Sequence, residues 1–339
     1  MDITVTAVDV ADTEATEQAY EIAAECVAAD LPDFPPVCRQ LFLGQLHRPD
    51  PGTERRYALA HLAGQPVGLA KVTLFQLDNT DNVDAEISVL PRYRRRGVGR
   101  ALHEYVVRVA RDNDRKRLFG MTVHALAGGP PRDEAGRAFA RAMGATCALS
   151  DVRRRLDLAE LDRSGLDRIL AESRRHADGY TSVCWRDVTP EEYADDVAYL
   201  DSRLLQDAPL GDLQLEPERV DATRLRGTEA MRVSQGRRRY HAGMRHEASG
   251  RIVAWTVLEV GASAPWHAFQ QITIVDPEHR GHRLGAIAKI ENLRHIQPHE
   301  PELRVIDTWN AAGNDHMIAI NEAIGFRPVD GWENWQLTL

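Results

Sequence analysis

With 339 residues, 43% of them hydrophobic and 27% charged, the chain has the length of two ordinary domains and the balance of a soluble globular protein. A net charge of −9 argues against a nucleic-acid partner, and the lack of an apolar run of about 18 residues argues against a membrane span. Cys26, Cys38, Cys147 and Cys184 stand without metal-knuckle or disulfide-framework spacing, and MDITVTAVDV does not read as a secretion signal, so a cytoplasmic location is expected.

In chain order, residues 3–8 alternate as a strand. Residues 13–29 carry helical spacing (Ala15, Ala19, Ile22, Ala23, Cys26, Val27), which Pro32, Pro35 and Pro36 end. Strand-like runs follow at 56–62, 67–77 and 83–90, the first two separated by the turn signal Gly64-Gln65-Pro66. A loop at 94–99 then opens a helix whose apolar face includes Leu102, Val106, Val109 and Ala110. A strand at 118–123, a helix at 134–143 and a strand at 146–156 complete the first half.

A polar helical connector at 158–177 leads into a second series. It opens with a strand at 181–185 and a helix start at Thr189-Pro190-Glu191-Glu192, then charged helical segments to about residue 235. Strands at 240–246, 252–260 and 269–275 lead to a loop at 280–285 and a helix. A strand at 303–309, a helix at 314–324 and a strand from Phe326 close the chain. One constant shift, 94 to 280, also carries Val89 onto Val275, Pro91 onto Pro277, Val98 onto Leu284 and Gly99 onto Gly285. The pattern predicts one mixed α/β unit used twice, as domains 1–157 and 179–339 joined by a helical linker at 158–178.

The chemistry is concentrated in Ile87-Ser88-Val89-Leu90-Pro91-Arg92-Tyr93-Arg94-Arg95-Arg96-Gly97-Val98-Gly99-Arg100, where a strand runs through an Arg/Gly loop straight into a helix. First-turn amides of a helix have no internal partners, and with the helix dipole they form an anion site suited to a pyrophosphate. Glycine allows close backbone approach and positive φ, and arginine adds charge-assisted hydrogen bonds.

This segment resembles the GNAT superfamily of N-acetyltransferases, whose R/Q-x-x-G-x-G/A signature matches Arg94-Arg95-Arg96-Gly97-Val98-Gly99. The stretch Asn314 to Phe326 resembles the family's late N-x-x-A and G-F motif. The resemblance implies two tandem acyl-CoA N-acyltransferase folds, each a twisted mixed sheet flanked by helices, with acetyl-CoA as co-substrate and no metal. It implies coenzyme contacts from Val89, Arg94, Arg95, Arg96, Gly97, Val98, Gly99 and Arg100 in the first half. In the second half it implies Val275, Arg280, Gly281, His282, Arg283, Leu284, Gly285, Asn314 and Asn321. Val89 and Val275 occupy the positions whose backbone N–H serves the oxyanion in that family. The coenzyme's amide arm is expected where the loop-bearing strand splays from the next.

Departures are informative. Arg283 stands where Gly97 stands, and Ala140 and Asn321 hold the place of the tyrosine many members use as general acid. An attacking amine must lose a proton, so a carboxylate or histidine is expected near the thioester. Glu86 is the preferred general base, with Asp84 two residues away on the same face of the strand, and His124 is a further candidate. In the second half Ile272 replaces Glu86, leaving His267, Glu259 and Asp307. The intact loop leads to the expectation that the first half binds coenzyme more tightly. The spacing of His279, His282, His295 and His299 is not read as a zinc site, and the loop at 206–216 could supply acids to a cationic acceptor or be a plain connection. The expected activity is acetyl transfer to a primary amine of a small molecule. Alternatives are a mycothiol-synthase-like acetylation and a non-catalytic acyl-CoA-binding module.

Overall fold

The structure, a computed structural model, describes residues 2–339. The chain forms β1 (Ile3–Ala7), α1 (Thr13–Asp30), α2 (Arg39–His47), β2 (Thr53–Leu62), β3 (Gln65–Phe75), β4 (Asn82–Val89), α3 (Val98–Arg111), β5 (Arg117–Ala125), α4 (Ala135–Ala142) and β6 (Thr146–Asp157). It continues with α5 (Arg163–Arg174), β7 (Tyr180–Arg186), α6 (Ala194–Ser202), α7 (Leu204–Asp207), α8 (Ala222–Ser234), β8 (Arg238–His246), β9 (Ile252–Val260), β10 (His267–Val275), α9 (Leu284–Ile296), β11 (Val305–Ala311), α10 (Asp315–Ile324) and β12 (Arg327–Thr338). The class is mixed α/β, as the element order predicts. Among the described residues no helix is long and apolar enough to cross a membrane.

Two compact units divide the chain. The first takes the chain through Asp151 together with Leu210–Leu215 and Asp330–Leu339; the second takes Val152–Pro209 and Glu216–Val329. These boundaries differ from the expected 1–157, 158–178 and 179–339, because they fall inside β6 and β12. The expected linker contains α5, whose Leu166 and Leu170 are buried in the second unit's core. The helix itself is as expected, but its polar composition hid its packing, since only one narrow stripe of it is apolar. The last strand lies in the first unit: Asp330–Thr338 pairs antiparallel with Ala125–Arg117 of β5. Residue periodicity reports which face of a strand is buried but not which strand lies beside it.

Each unit follows the same plan. In the first, β1, β2, β3 and β4 form an antiparallel series and β5 runs parallel to β4. In the second, β7, β8, β9 and β10 form the series and β11 runs parallel to β10. Strand alternation splits the first unit's interior into two layers. Ala58, Ala60 and Leu62 of β2 pack with Val98, Leu102 and Val106 of α3, whereas Tyr57 and Leu59 pack with Ile22 and Phe42 of α1 and α2. On β4, Val83, Ala85, Ile87 and Val89 join the α3 layer, which turns Asp84 and Glu86 to the opposite face. Helix α2 has no counterpart in the sequence reading: it is nine residues long, buries only Phe42 and Leu46, and has no side-chain cap.

Candidate active site

In each unit the loop-bearing strand opens away from its parallel neighbour. Pairing of β4 with β5 runs from Asn82–Arg117 to Asp84–Phe119 and ends there; β10 and β11 pair from His267–Val305 to Phe269–Asp307. Leu90 N donates to Val67 O at 3.0 Å, so alternation turns the N–H groups of Ile87 and Val89 toward the opened side. Asp276 N donates to Val253 O at 2.8 Å, and Val275 N–H is turned in the same way. Both valines thus turn their N–H groups to an opening between strands.

The two loops share their backbone course. A short 3-10 turn (Pro91–Tyr93, Pro277–His279) follows each strand, and two left-handed residues then precede each helix. In the first loop these are Arg95 at φ 63° and Gly97 at φ 90°; in the second they are Gly281 at φ 89° and Arg283 at φ 55°. Glycine and arginine have exchanged places. Arg283 does adopt the conformation that Gly97 adopts, and Arg95 carries the same strain in the first loop. The expected advantage of an intact first loop is thereby cancelled at the level of backbone strain.

Neither α3 nor α9 has a side-chain cap. Asp12, Asp162, Asp221 and Asn314 accept from first-turn amides of α1, α5, α8 and α10, whereas α2, α4, α6 and α7 also start without a side-chain cap. The helices that begin at the two loops thus leave amide donors open to an anion, which fits a phosphate group. Val98 and Leu284, each 1% exposed, anchor the helix starts in the core. Gly99 lies against the Phe139 ring, where a Cβ would come within 3.2 Å, and Gly285 is buried beside Val275 and Thr273. Arg95, Arg96 and Arg100 are exposed, with Arg96 5.5 Å from the centre of the Tyr93 ring.

Arg94 and Arg280, expected to meet phosphate, have bonds within the fold that hold the loops in place. Arg94 donates to Val89 O at 3.1 Å, to Asp30 at 2.7 and 2.9 Å and to Asp133 at 2.8 Å. Arg280 donates to Val275 O at 3.4 Å and pairs with Asp207 at 2.9 Å. Arginine here satisfies the strand's last carbonyl and links it to a carboxylate from the preceding helices. Asp207, one acid of the loop at 206–216, is committed to that structural bond. In the second unit His282 Nδ1 lies 2.9 Å from His176 O, and Arg283 pairs with Glu172 of α5 at 2.6 Å.

Asp84 and Glu86 lie beside the opening of the first unit. Glu86 is exposed and receives Lys71 Nζ at 2.5 Å. Asp84 is half-buried; burial, then the charge of Glu86, pushes its carboxyl up to about 6 against the pull of Lys71 and Arg55. Arg55, Tyr57 and Lys71 were not among the sequence-derived candidates. Their signal lies in the register of three strands, which one strand's pattern does not contain. His124 sits on β5 beyond Phe119, over Gly331 of β12, with Nδ1 buried and unpartnered.

The second unit's opening is furnished differently. Ile272 and Ile274 join Trp255 and Val257 in an apolar cluster with α6 and α8. A bulge in β10 between Gln270 and Thr273 is filled internally, Ile272 O accepting from Thr256 Oγ1 at 3.1 Å. Of the base candidates there, Asp307 is fully buried, bonded to Arg155 at 2.7 Å and to His267 at 2.9 Å. Burial works to raise its carboxyl, but Arg155 and His267 hold it down at about 2. Glu259 is buried against Arg237 at 3.1 Å. Asn314 caps α10 through Met317 N at 3.2 Å, and Asn321, fully buried, donates to Asn310 at 2.7 Å. Both asparagines expected to meet coenzyme thus have bonds within the fold. Among the described residues no group of three metal-ligating side chains is arranged to hold an ion.

A family model described as Acetyltransferase (GNAT) family matches residues 16–128. No curated protein matches the chain. Among solved structures, a tandem GNAT protein from the clavulanic acid biosynthesis pathway is similar over 99% of this chain and 98% of its own, with 32% identity and a TM-score of 0.83. A GCN5-related N-acetyltransferase from Sphaerobacter thermophilus is similar over 99% of this chain and 95% of its own, at 14% identity and a TM-score of 0.65. The glucosamine N-acetyltransferase region of a fungal multi-domain GH3 beta-N-acetylglucosaminidase matches 99% of this chain and 38% of that chain, at 13% identity and a TM-score of 0.66. The last two show likeness of fold alone.

Proposed function

The chain belongs to the GNAT family of acetyltransferases, enzymes of acyl transfer from acyl-CoA, and on that premise we propose that its first unit transfers an acetyl group from acetyl-CoA to a primary amine of a small molecule. The observation that carries this reading is the pair of carboxylates, Asp84 and Glu86, beside the β4–β5 opening of the unit whose α3 begins uncapped. The corresponding opening in the second unit carries Ile272 and Gln270.

Bound acetyl-CoA supplies an acyl group activated as a thioester. The open amides at the start of α3 hold its phosphates, and the N–H groups of Ile87 and Val89 line the path of its amide arm. Direct attack needs the amine in its neutral form. Asp84 is the better proton acceptor, because a carboxyl titrating at about 6 holds a proton more firmly than one at its ordinary 3.8. Glu86, bonded to Lys71, lies beside it and can receive the incoming ammonium. The base in this reading is Asp84, where the sequence alone favours Glu86.

The test is a pH profile of thiol release with an amine panel. kcat/KM is expected to hold above pH about 6 and fall as Asp84 takes up its proton below that value. Asp84→Asn lowers kcat at least about a hundredfold and removes the acid limb. Glu86→Gln moves that limb to lower pH, since the neighbouring charge that raises Asp84 is gone. An acid limb unchanged in Asp84→Asn would rule Asp84 out as the base.

A further inference from the structure

Two cross-strand rows lie side by side on the face of the first unit's sheet opposite α3. One is Arg55–Thr73–Asp84 and the other Tyr57–Lys71–Glu86, each in register across β2, β3 and β4. With neighbouring strands about 4.8 Å apart, the ends of each row are separated by roughly 10 Å of backbone. The rows are polar in a literal sense: both acids stand on β4 beside the opening, and the guanidinium stands on β2 at the far end.

That far end holds polar groups without partners. The Arg55 side chain is 10% exposed, and Asp50 engages only its Nη2, leaving Nε and Nη1 buried and unbonded. Tyr57 is 3% exposed and its hydroxyl is also buried without a partner. Buried donors left unmade are destabilising, so water or a ligand is called for to complete them. The two open nitrogens of the Arg55 guanidinium and the Tyr57 hydroxyl suit a carboxylate, which can accept from all three. The acids at the other end call for a cation.

We propose that the acceptor is an amino carboxylic acid, its amine held between Asp84 and Glu86 and its carboxylate taken by Arg55 and the Tyr57 hydroxyl. This assignment rests on the reading of the first unit as the active one. It makes Arg55 and Tyr57 specificity-determining residues, since a carboxylate ester or a plain alkylamine leaves their donors unpaired.

The experiment is calorimetric binding to the full chain of β-alanine, 4-aminobutanoate, 5-aminopentanoate and 6-aminohexanoate, with and without CoA. Each is matched by its methyl ester and by the alkylamine of equal length. At least one amino acid is expected to bind tenfold or more tighter than both of its counterparts. Arg55→Gln reduces that preference to less than twofold, and Tyr57→Phe, which preserves the ring's packing, reduces it severalfold. Equal binding of amino acid and amine, no binding of any amino acid, or a preference that survives both substitutions overturns the proposal. Loss of CoA binding at α3 with the amino-acid preference intact would count against the active-unit reading alone.

Discussion

Asp84 packs half-buried on β4 in register with Thr73 and Phe119, and its carboxyl titrates at about 6 where an ordinary aspartate titrates at 3.8. The folded chain then binds this proton more tightly than the unfolded one. The stability contribution of the group is fully present below pH about 4 and is lost as pH rises through about 6. Asp84→Asn is therefore expected to stabilise the protein at pH 7.5, by on the order of 1–2 kcal/mol once partial exposure is allowed for, with the gain disappearing near pH 4. Urea unfolding at the two pH values measures it, and equal effects at both would show that folding does not raise the titration of this carboxyl. The sequence made the two acids of β4 visible, because period-2 spacing puts residues 84 and 86 on one face. It did not reveal Arg55, Tyr57 and Lys71, whose part depends on the register of separate strands. Nor did it show that Arg94 and Arg280 would turn back to bind the carbonyls of Val89 and Val275.

At the scale of elements, the strand–loop–helix junctions were the most legible features, since every residue that shapes them is local. Both helices start at Val98 and Leu284, two residues inside the loops expected at 94–99 and 280–285, and both start without a cap. Setting Arg283 against Gly97 alone overstated the difference between the loops. The left-handed positions come in pairs, and Arg95/Gly97 and Gly281/Arg283 meet the same demand in opposite order. What separates the units is the furniture of the neighbouring strand: Asp84 and Glu86 on β4, against Ile272 and Ile274 within an apolar cluster on β10. Helix α5 shows the converse error, a polar connector in sequence that buries Leu166, Leu170 and Ser173 in fact.

For the whole molecule, the repeat was evident from the shared shift of the two loops, but the partition of strands between units was not. Asp330–Thr338, read as the end of the second half, pairs with β5 in the first unit. It brings Trp335 Nε1 to Thr122 Oγ1 at 2.8 Å, Glu333 to Arg137 at 2.8 Å and Asp330 to Arg132 at 2.8 Å. A chain ending at Val329 is expected to lose amide-exchange protection across residues 117–125 by about a hundredfold or more, as a buried ladder becomes an open edge. Unaltered protection there would place the strand's structural role elsewhere.

The central claim is that the open start of α3 in the first unit holds the coenzyme. Titration calorimetry with acetyl-CoA on Gly97→Asp and Arg283→Asp tests it most directly, because each substitution sets a carboxylate at one helix start and competes with phosphate for its amides. The account predicts that Gly97→Asp weakens binding about thirtyfold or more, roughly 2 kcal/mol, and that Arg283→Asp changes it less than threefold. Full affinity in Gly97→Asp, or its loss in Arg283→Asp alone, would contradict the account.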